Sequence, residues 1–370
     1  MTVYVHINTV PNGSTGGIMM KEHRELLAAG EESFAFWGRG REAEKPNEMK
    51  FASDVEVKLD VLQTRMDGKA GFHSKTATSR LLARLDEIQP DVVHLHNLHG
   101  YYVNVEMLFN WLANHECKVE WTLHDCWAFT GHCAHFTYVK CAQWKDHCAY
   151  SKPCSQIHTY PKTFSKASCA WNFDSKKRVF TLMPTERMKL ITPSQWLADL
   201  VGESFLKGYP VELRHNTIDT NVFKPMPSDF RERYGIGNRL MILGVASPWT
   251  ERKGLGDFIR LAGELDSEKY AIVLVGLSRK QIGRLPECVI GIQRTDSREQ
   301  LAAIYTAADV FFNPTTEDNY PTVNLEAEAC GTPVVTYDTG GCAETVRRGG
   351  SRVVKGYEGA AQELRERLPL

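Results

Sequence analysis

No apolar run in this 370-residue chain approaches the roughly 18 residues needed to span a bilayer. The longest, such as Ala271–Leu277, are the length of a strand. Neither sign of charge dominates: 44 Lys and Arg face 45 Asp and Glu, for a net charge of −1. That balance lacks the basic excess typical of general nucleic-acid binders, so nucleic acid is not expected as a partner. The opening Thr2–Asn8 has no basic segment followed by a long apolar one, so no secretory signal is predicted and the expected location is the cytoplasm. No G-x-x-x-x-G-K-[ST] occurs, which sets aside an ordinary P-loop NTPase, and neither H-E-x-x-H nor G-x-S-x-G is present. No two aspartates are spaced D-x-D, the pair that could hold a metal on a diphosphate.

The apolar fraction of 42% and charged fraction of 24% are those of an ordinary globular protein, and the length predicts two domains. Strand-like and helix-like segments alternate in two series. The first holds Val3–Ile7, a loop at Asn12–Gly17, a helix at Ile18–Ala29, a helix at Leu81–Ile88, and strands at Val92–His96, Val119–Leu123 and Leu190–Thr192, the last followed by a helix from Gln195. The second holds strands at Met241–Ala246, Ala271–Val275, Val289–Ile292, Val310–Asn313 and Pro333–Tyr337, with helices at Leu255–Gly263, Arg298–Ala307 and Thr322–Cys330. Such alternation predicts an α/β protein of two parallel-sheet domains. The seam falls near Asn216–Ser228, giving domains 1–215 and 216–370. Ligands of open α/β sheets bind at the carboxyl ends of the strands, where His96, His124, Asp125 and Thr192 lie.

Six of the ten cysteines and nine of the thirteen histidines lie between residues 94 and 158. Within the irregular insert 131–160, Cys133, Cys141, Cys148 and Cys154 form a ladder that could hold a structural Zn²⁺, or remain as reduced, buried thiols. His94 is expected in the core. The stretch Lys162–Lys189 carries seven Lys and Arg against two acids, with Phe164, Trp171, Phe173 and Phe180 interleaved. It reads either as a solvated helix face or as a patch for a membrane surface.

The most informative stretch runs from Thr315 to Pro333. Pro321 suits the first turn of a helix and Gly331 its C-cap. The N–H groups of Tyr320–Val323 are then placed to bind a diphosphate. Glu326, one turn further in, can accept hydrogen bonds from a vicinal diol such as a ribose. Glu328 is expected to be solvated. Gly16 and Gly17 offer a second anion-binding loop ahead of a helix.

This stretch resembles the E-x7-E signature of glycosyltransferase family 4, in an E-D-N-x-P form. Asn216–Pro225, Lys253-Gly254, Leu301–Phe311 and Asp338–Glu344 resemble further motifs of that family, so the resemblance covers about residues 213–346 densely. In the first domain, Gly16-Gly17, His124-Asp125 and Thr192–Ser194 resemble it more loosely. Leu95–Tyr102 and Leu123–Phe129 are similar to members that build bacterial capsule and exopolysaccharide repeat units.

The resemblance implies a GT-B fold, two Rossmann-like domains facing across a cleft, with the acceptor on the first and the nucleotide sugar on the second. It implies sugar transfer from a UDP- or GDP-sugar with retention of anomeric configuration, no catalytic metal or other cofactor, and a glycan or polyprenyl-linked acceptor. A peripheral place on the inner face of the membrane goes with that acceptor. Carried over by position, Glu326 binds the ribose and Asp318, eight residues before it, contacts the donor sugar. Lys253 neutralises the diphosphate with Arg252 beside it, and Asn319, Tyr320, Thr322 and Val323 line the donor. His124 faces the donor sugar, while His96, Asn97 and Asp125 lie on the acceptor side. Pro248 stands where relatives often carry an arginine. The chain stops about 25 residues past Glu344, so the crossover helices of relatives are expected to be short or absent. A nucleotide-sugar epimerase and a non-catalytic nucleotide-sugar or glycan-binding protein are the alternatives.

Overall fold

The computed structural model describes residues 1–367, which divide into two compact units, Met1–His215 and the described residues from Asn216 onward. In the first unit, seven strands are β1 (Val3–Asn8), β2 (Glu32–Trp37), β3 (Glu48–Lys50), β4 (Val92–Leu95), β5 (Lys118–Thr122), β6 (Met188–Thr192) and β7 (Val211–Leu213). They lie in the order β3-β2-β1-β4-β5-β6-β7, and every pairing is parallel. The helices between them are α1 (Gly13–Ala28), α2 (Asp54–Asp67), α3 (Lys75–Ile88), α4 (Val105–Asn114), α5 (Ser168–Phe180) and α6 (Gln195–Glu203). Parallel strands need crossovers, and these helices supply them, apart from the loop between β2 and β3, while covering the sheet.

The second unit carries α7 (Phe230–Arg233), β8 (Leu240–Val245), α8 (Leu255–Glu264), β9 (Tyr270–Val275), α9 (Arg279–Ile282), β10 (Val289–Ile292), α10 (Arg298–Ala307), β11 (Val310–Asn313), α11 (Thr322–Ala329), β12 (Val334–Tyr337), β13 (Arg352–Val354) and α12 (Gly356–Arg365). Its sheet runs β10-β9-β8-β11-β12-β13, again all parallel. Both sheets are doubly wound with a reversal of strand order beside the first strand, which is where such folds bind ligands. In the first unit the reversal lies between β1 and β4, and in the second between β8 and β11.

Alternation along β8 builds two cores on opposite faces of the second sheet. Leu240 and Ile242 pack with Phe258, Leu261 and Leu364, whereas Met241 and Leu243 pack with Ala302, Tyr305 and Ala327. Strands buried on both faces need continuous apolar sequence, which is why Met241–Ala246 is legible as a strand.

One expected loop is absent. Gly16 and Gly17 lie inside α1, which begins at Gly13. A Cβ at Gly16 would stand 2.5 Å from the Val10 carbonyl oxygen, so the small residue lets the first turns lie against the preceding chain. Two glycines lower helix propensity by about 1 kcal/mol each, but tertiary packing overrides it.

The basic stretch also resolves differently from a uniform face. Phe173, Lys176 and Phe180 are buried in α5, while Phe164 and Trp171 are exposed. Arg187 donates to backbone carbonyls of Ala113 and His115, at the end of α4 and just beyond it. Of the seven cations of this stretch, Lys162, Lys166, Lys177 and Arg178 are exposed, alongside those two aromatics.

Candidate functional site

In the second unit the loop Thr315–Tyr320 links β11 to α11 at the point of strand reversal. The loop is fixed from both sides. Thr316 N–H donates to the Arg252 carbonyl at 2.9 Å, and the Arg252 guanidinium donates to the Glu317 carbonyl. Arg252 therefore serves the loop's shape. Thr339 Oγ1 donates to the Thr315 carbonyl at 2.7 Å, and Gly341 N–H to the Asp318 carbonyl at 3.0 Å. Gly340 adopts φ +57°, and a Cβ there would lie 2.0 Å from the Asp318 carbonyl oxygen, so only glycine allows this approach.

Within this frame the Lys253 ammonium pairs with the Asp318 carboxylate, whose other oxygen accepts from Asn319 N–H at 3.0 Å. Asn319 and Tyr320 are buried, and the Arg347 guanidinium lies 3.4 Å from the Tyr320 hydroxyl. Pro321 occupies the N-cap position of α11 and its side chain makes no cap bond to the helix start at Thr322 and Val323. A helix start of this kind carries a partial positive charge and forward-pointing N–H groups. Asn324, fully buried, ties α11 down by accepting from Asn313 at 2.9 Å and donating to Thr345 at 2.8 Å.

Glu326 lies one turn into α11 and accepts from the Tyr305 hydroxyl at 3.2 Å. Burial pushes its carboxyl up to about 7, against the opposing pull of Tyr305 and of Arg298. A carboxylate buried at such a cost, with the hydroxyls of Tyr305 and Thr322 as partners, has acceptor capacity left for a ligand. Tyr305 belongs to the Leu301–Phe311 segment, but its pairing with Glu326 is visible only in three dimensions. Glu328 is not simply solvated: it accepts from the N–H groups of Arg347 and Arg348 and from Ser351 Oγ.

In the first unit, His96, Asn97, His99, His124, Asp125 and Trp127 line one concavity of about 190 Å³. Tyr160 was not anticipated as a site residue. His99 Nε2 lies 2.7 Å from Asp125 Oδ2, and its Nδ1 lies 2.9 Å from the Tyr160 hydroxyl. Asp125 also accepts from Trp127 N–H at 2.9 Å. His99 and these hydrogen bonds hold the Asp125 carboxyl below the usual range despite its burial. His124 Nε2 lies 3.2 Å from His96 Nδ1. Burial drops the His124 imidazole to about 4, so it is neutral near pH 7 and can donate through only one nitrogen. Asn97 contributes through its backbone: its N–H donates to Asn8 Oδ1 and its carbonyl accepts from Thr9 and Tyr102.

Cys133, Cys141, Cys148 and Cys154 line a second concavity, joined by Cys169 from α5. Cys169 lies outside the ladder and had no spacing signal. All are free thiols, and Gly131 N–H donates to Cys148 Sγ at 3.2 Å. Burial raises the Cys133 thiol, and its three ladder partners raise it further. Lys176 is buried beside them, donating to the carbonyls of Trp127 and Thr130 at 2.8 and 3.1 Å, with its ammonium 3.5 Å above the Trp127 ring.

Two all-parallel, doubly wound Rossmann-like domains are the architecture of the GT-B fold. Residues 238–368 match the family "Glycosyl transferases group 1", so the second unit is a domain of that family. Over 369 residues, 94% of this chain and 85% of the relative, the chain is 25% identical to the colanic acid biosynthesis glycosyl transferase WcaC of Escherichia coli K12. The sucrose-phosphate synthase structure from Thermosynechococcus elongatus superposes with a TM-score of 0.72 at 16% identity, covering 99% of this chain and 89% of that one. HepE of Anabaena, solved with UDP-glucose, superposes with a TM-score of 0.64 at 14% identity, covering 99% and 89%.

Proposed function

We propose that this glycosyltransferase moves a sugar, with retention and without a catalytic metal, from a UDP- or GDP-sugar to a lipid-linked oligosaccharide during surface polysaccharide assembly. The observation that carries the reading is the start of α11, where a helix end without a cap bond from Pro321, the Lys253–Asp318 pair and buried Glu326 lie together. A leaving diphosphate needs positive charge where its own charge grows. Lys253 and the N–H groups at Thr322 and Val323 supply it, and Glu326 takes the ribose hydroxyls. Asp318 contacts the transferred sugar, and neutral His124 donates to one of its hydroxyls. With a diphosphate oxygen taking the acceptor's proton on the same face, retention needs no pair of carboxylates about 5 Å apart.

The WcaC and HepE relatives support the polysaccharide and nucleotide-sugar parts of the reading. His96, Asn97 and Asp125 serve the acceptor. Among the described residues no helix is long and apolar enough to cross a membrane. Lys162, Phe164, Lys166 and Trp171 form the exposed patch that would meet a membrane surface. The cysteine cluster holds a structural Zn²⁺ in this reading, since soft thiolates suit that ion and Lys176 offers a counter-charge.

A thermal-shift panel of UDP-, GDP-, dTDP- and ADP-sugars identifies the donor, and product analysis tests the reaction. Transfer releases nucleoside diphosphate in step with a new glycoside. An altered nucleotide sugar without release would instead mark an epimerase, and binding with no turnover across acceptors a non-catalytic protein.

A further inference from the structure

Four side chains of the first unit converge on one point, and His96 alone among them has a part in the proposed sugar transfer. His6 in β1 pairs directly with His94 in β4, and His96 follows two residues later, so the three imidazoles leave the same face of the sheet. Their rings are 4.3 Å apart for His94 and His96 and 5.2 Å for His6 and His94. Glu22 approaches from α1. One ligand atom from each of the four lies within 4.8 Å of all the others.

In His94 and His96 one nitrogen is engaged outside the cluster and the other faces Glu22. His94 Nε2 meets Thr122 Oγ1 at 2.8 Å, which leaves Nδ1 3.3 Å from Glu22 Oε2. His96 Nδ1 meets His124, which leaves Nε2 3.6 Å from the same oxygen. Glu22 Oε2, His96 Nε2 and both nitrogens of His6 are buried without a hydrogen-bond partner, and His6 and His96 are each 1% exposed. Leaving such buried groups unsatisfied is costly. Corner-to-corner separations of 3.3 and 3.6 Å are those of a tetrahedron around an ion bound at about 2.0–2.2 Å. The neighbouring cation, Arg214, is committed to Glu212 and Glu120.

We infer that His6, Glu22, His94 and His96 bind a divalent transition-metal ion of the zinc class, stapling β1, β4 and α1. Three imidazoles and one carboxylate form a ligand set that suits this class. A metal-bound histidine usually donates its other N–H to a second group. Bound through Nε2, His96 donates from Nδ1 to His124 Nε2 and fixes the proton of His124 on Nδ1. His96 is then a positioning residue for His124. That half of the inference rests on the sugar-transfer reading; the metal half does not.

The probe is Co²⁺ added to full-length protein freed of metal by prolonged chelation. Thiolate-bound cobalt shows a sulfur-to-metal charge-transfer band, whereas a nitrogen and oxygen site shows only visible d–d bands. The Cys141→Ser, Cys148→Ser double variant should take up one equivalent with d–d bands alone, and adding His94→Gln should abolish that uptake. No uptake by the folded cysteine variant, or uptake indifferent to His94→Gln, overturns the site. Should the cysteine variant not fold, His94→Gln in the wild-type chain must remove one equivalent of cobalt and spare the charge-transfer band; unchanged stoichiometry overturns the site. Extracting this ion from the folded wild-type protein should lower kcat several-fold with donor KM unchanged, and Zn²⁺ should restore it. Unchanged kcat overturns the positioning role alone. A wild-type chain with no transferase activity would instead overturn the functional reading and leave the cobalt result standing.

Discussion

The ammonium of Lys253 and the carboxylate of Asp318, 65 residues apart in sequence, form an ion pair beside the start of α11. Both side chains are partly exposed, at 24% and 18%, so a solvated pair of this kind is easily exchanged for another partner. A diphosphate carries more charge than one carboxylate and competes for the lysine.

Lys253→Ala should therefore weaken nucleoside diphosphate binding by about 1.5–3 kcal/mol, the worth of charged hydrogen bonds. Asp318→Asn removes the competitor and should bind the nucleotide at least as tightly while turning over more slowly. Calorimetry and steady-state kinetics on the two variants check this. Lost nucleotide affinity in Asp318→Asn would place that carboxylate on the nucleotide instead of the sugar.

Glu326→Ala should weaken nucleotide binding by about 1.5–3 kcal/mol through lost bonds to a diol, with folding intact. An unchanged affinity by calorimetry would remove the ribose assignment.

The same residue makes stability depend on pH. Glu326 titrates at about 7 when folded against 4.5 for an ordinary glutamate, because burial disfavours its charge. Between those values the folded chain holds the extra proton, so stability falls as pH rises through the window. The cost is absent below the lower value and complete above the upper. Glu326→Gln should stabilise the nucleotide-free protein by about 1–3 kcal/mol at pH 8. The gain should shrink steadily as pH is lowered toward 4.5. Melting curves across that range check it, and a pH-independent gain would contradict the buried-carboxylate account.

Turnover should persist through brief exposure to excess EDTA, since Lys253 and the α11 start already face the diphosphate with positive charge. Immediate loss of activity, restored by Mg²⁺ or Mn²⁺, would assign the diphosphate to a metal.

Cys141→Ser should lower zinc content by about one per chain and lower Tm, because metal-binding free energy is partly folding free energy. Nucleotide affinity should stay nearly intact, because the proposed nucleotide groups belong to the other unit. Full stability in a zinc-free protein would decide for buried thiols. Retained fold with lost turnover would tie the metal to the acceptor.

Local signals in the sequence were enough for several elements. Val289–Ile292, Arg298–Ala307 and Val310–Asn313 are read from the sequence with the bounds they have in the structure, because apolar runs and caps act between near neighbours. Pro321 and Gly331 mark the ends of α11 for the same reason. Where propensity and packing disagree, local signals fail: Gly16 and Gly17 read as a loop yet sit in α1. Helices α2 and α4 were not drawn from the sequence, although Ser53 and Asn104 cap them.

By itself, then, the sequence determined the alternation of strands and helices, the two-domain α/β class and the position of the α11 start, since each follows from periodicity and turn chemistry over a few residues. Only the tertiary structure decided which distant side chains meet. Parallel pairing of β1 with β4 brings His6 against His94, and the reversal of strand order brings Lys253 to Asp318. Tyr305 reaches Glu326 only because α10 and α11 pack side by side, and Cys169 joins the other thiols only because α5 packs against the irregular insert. Such contacts depend on sheet register and crossover packing, which no local window of sequence contains.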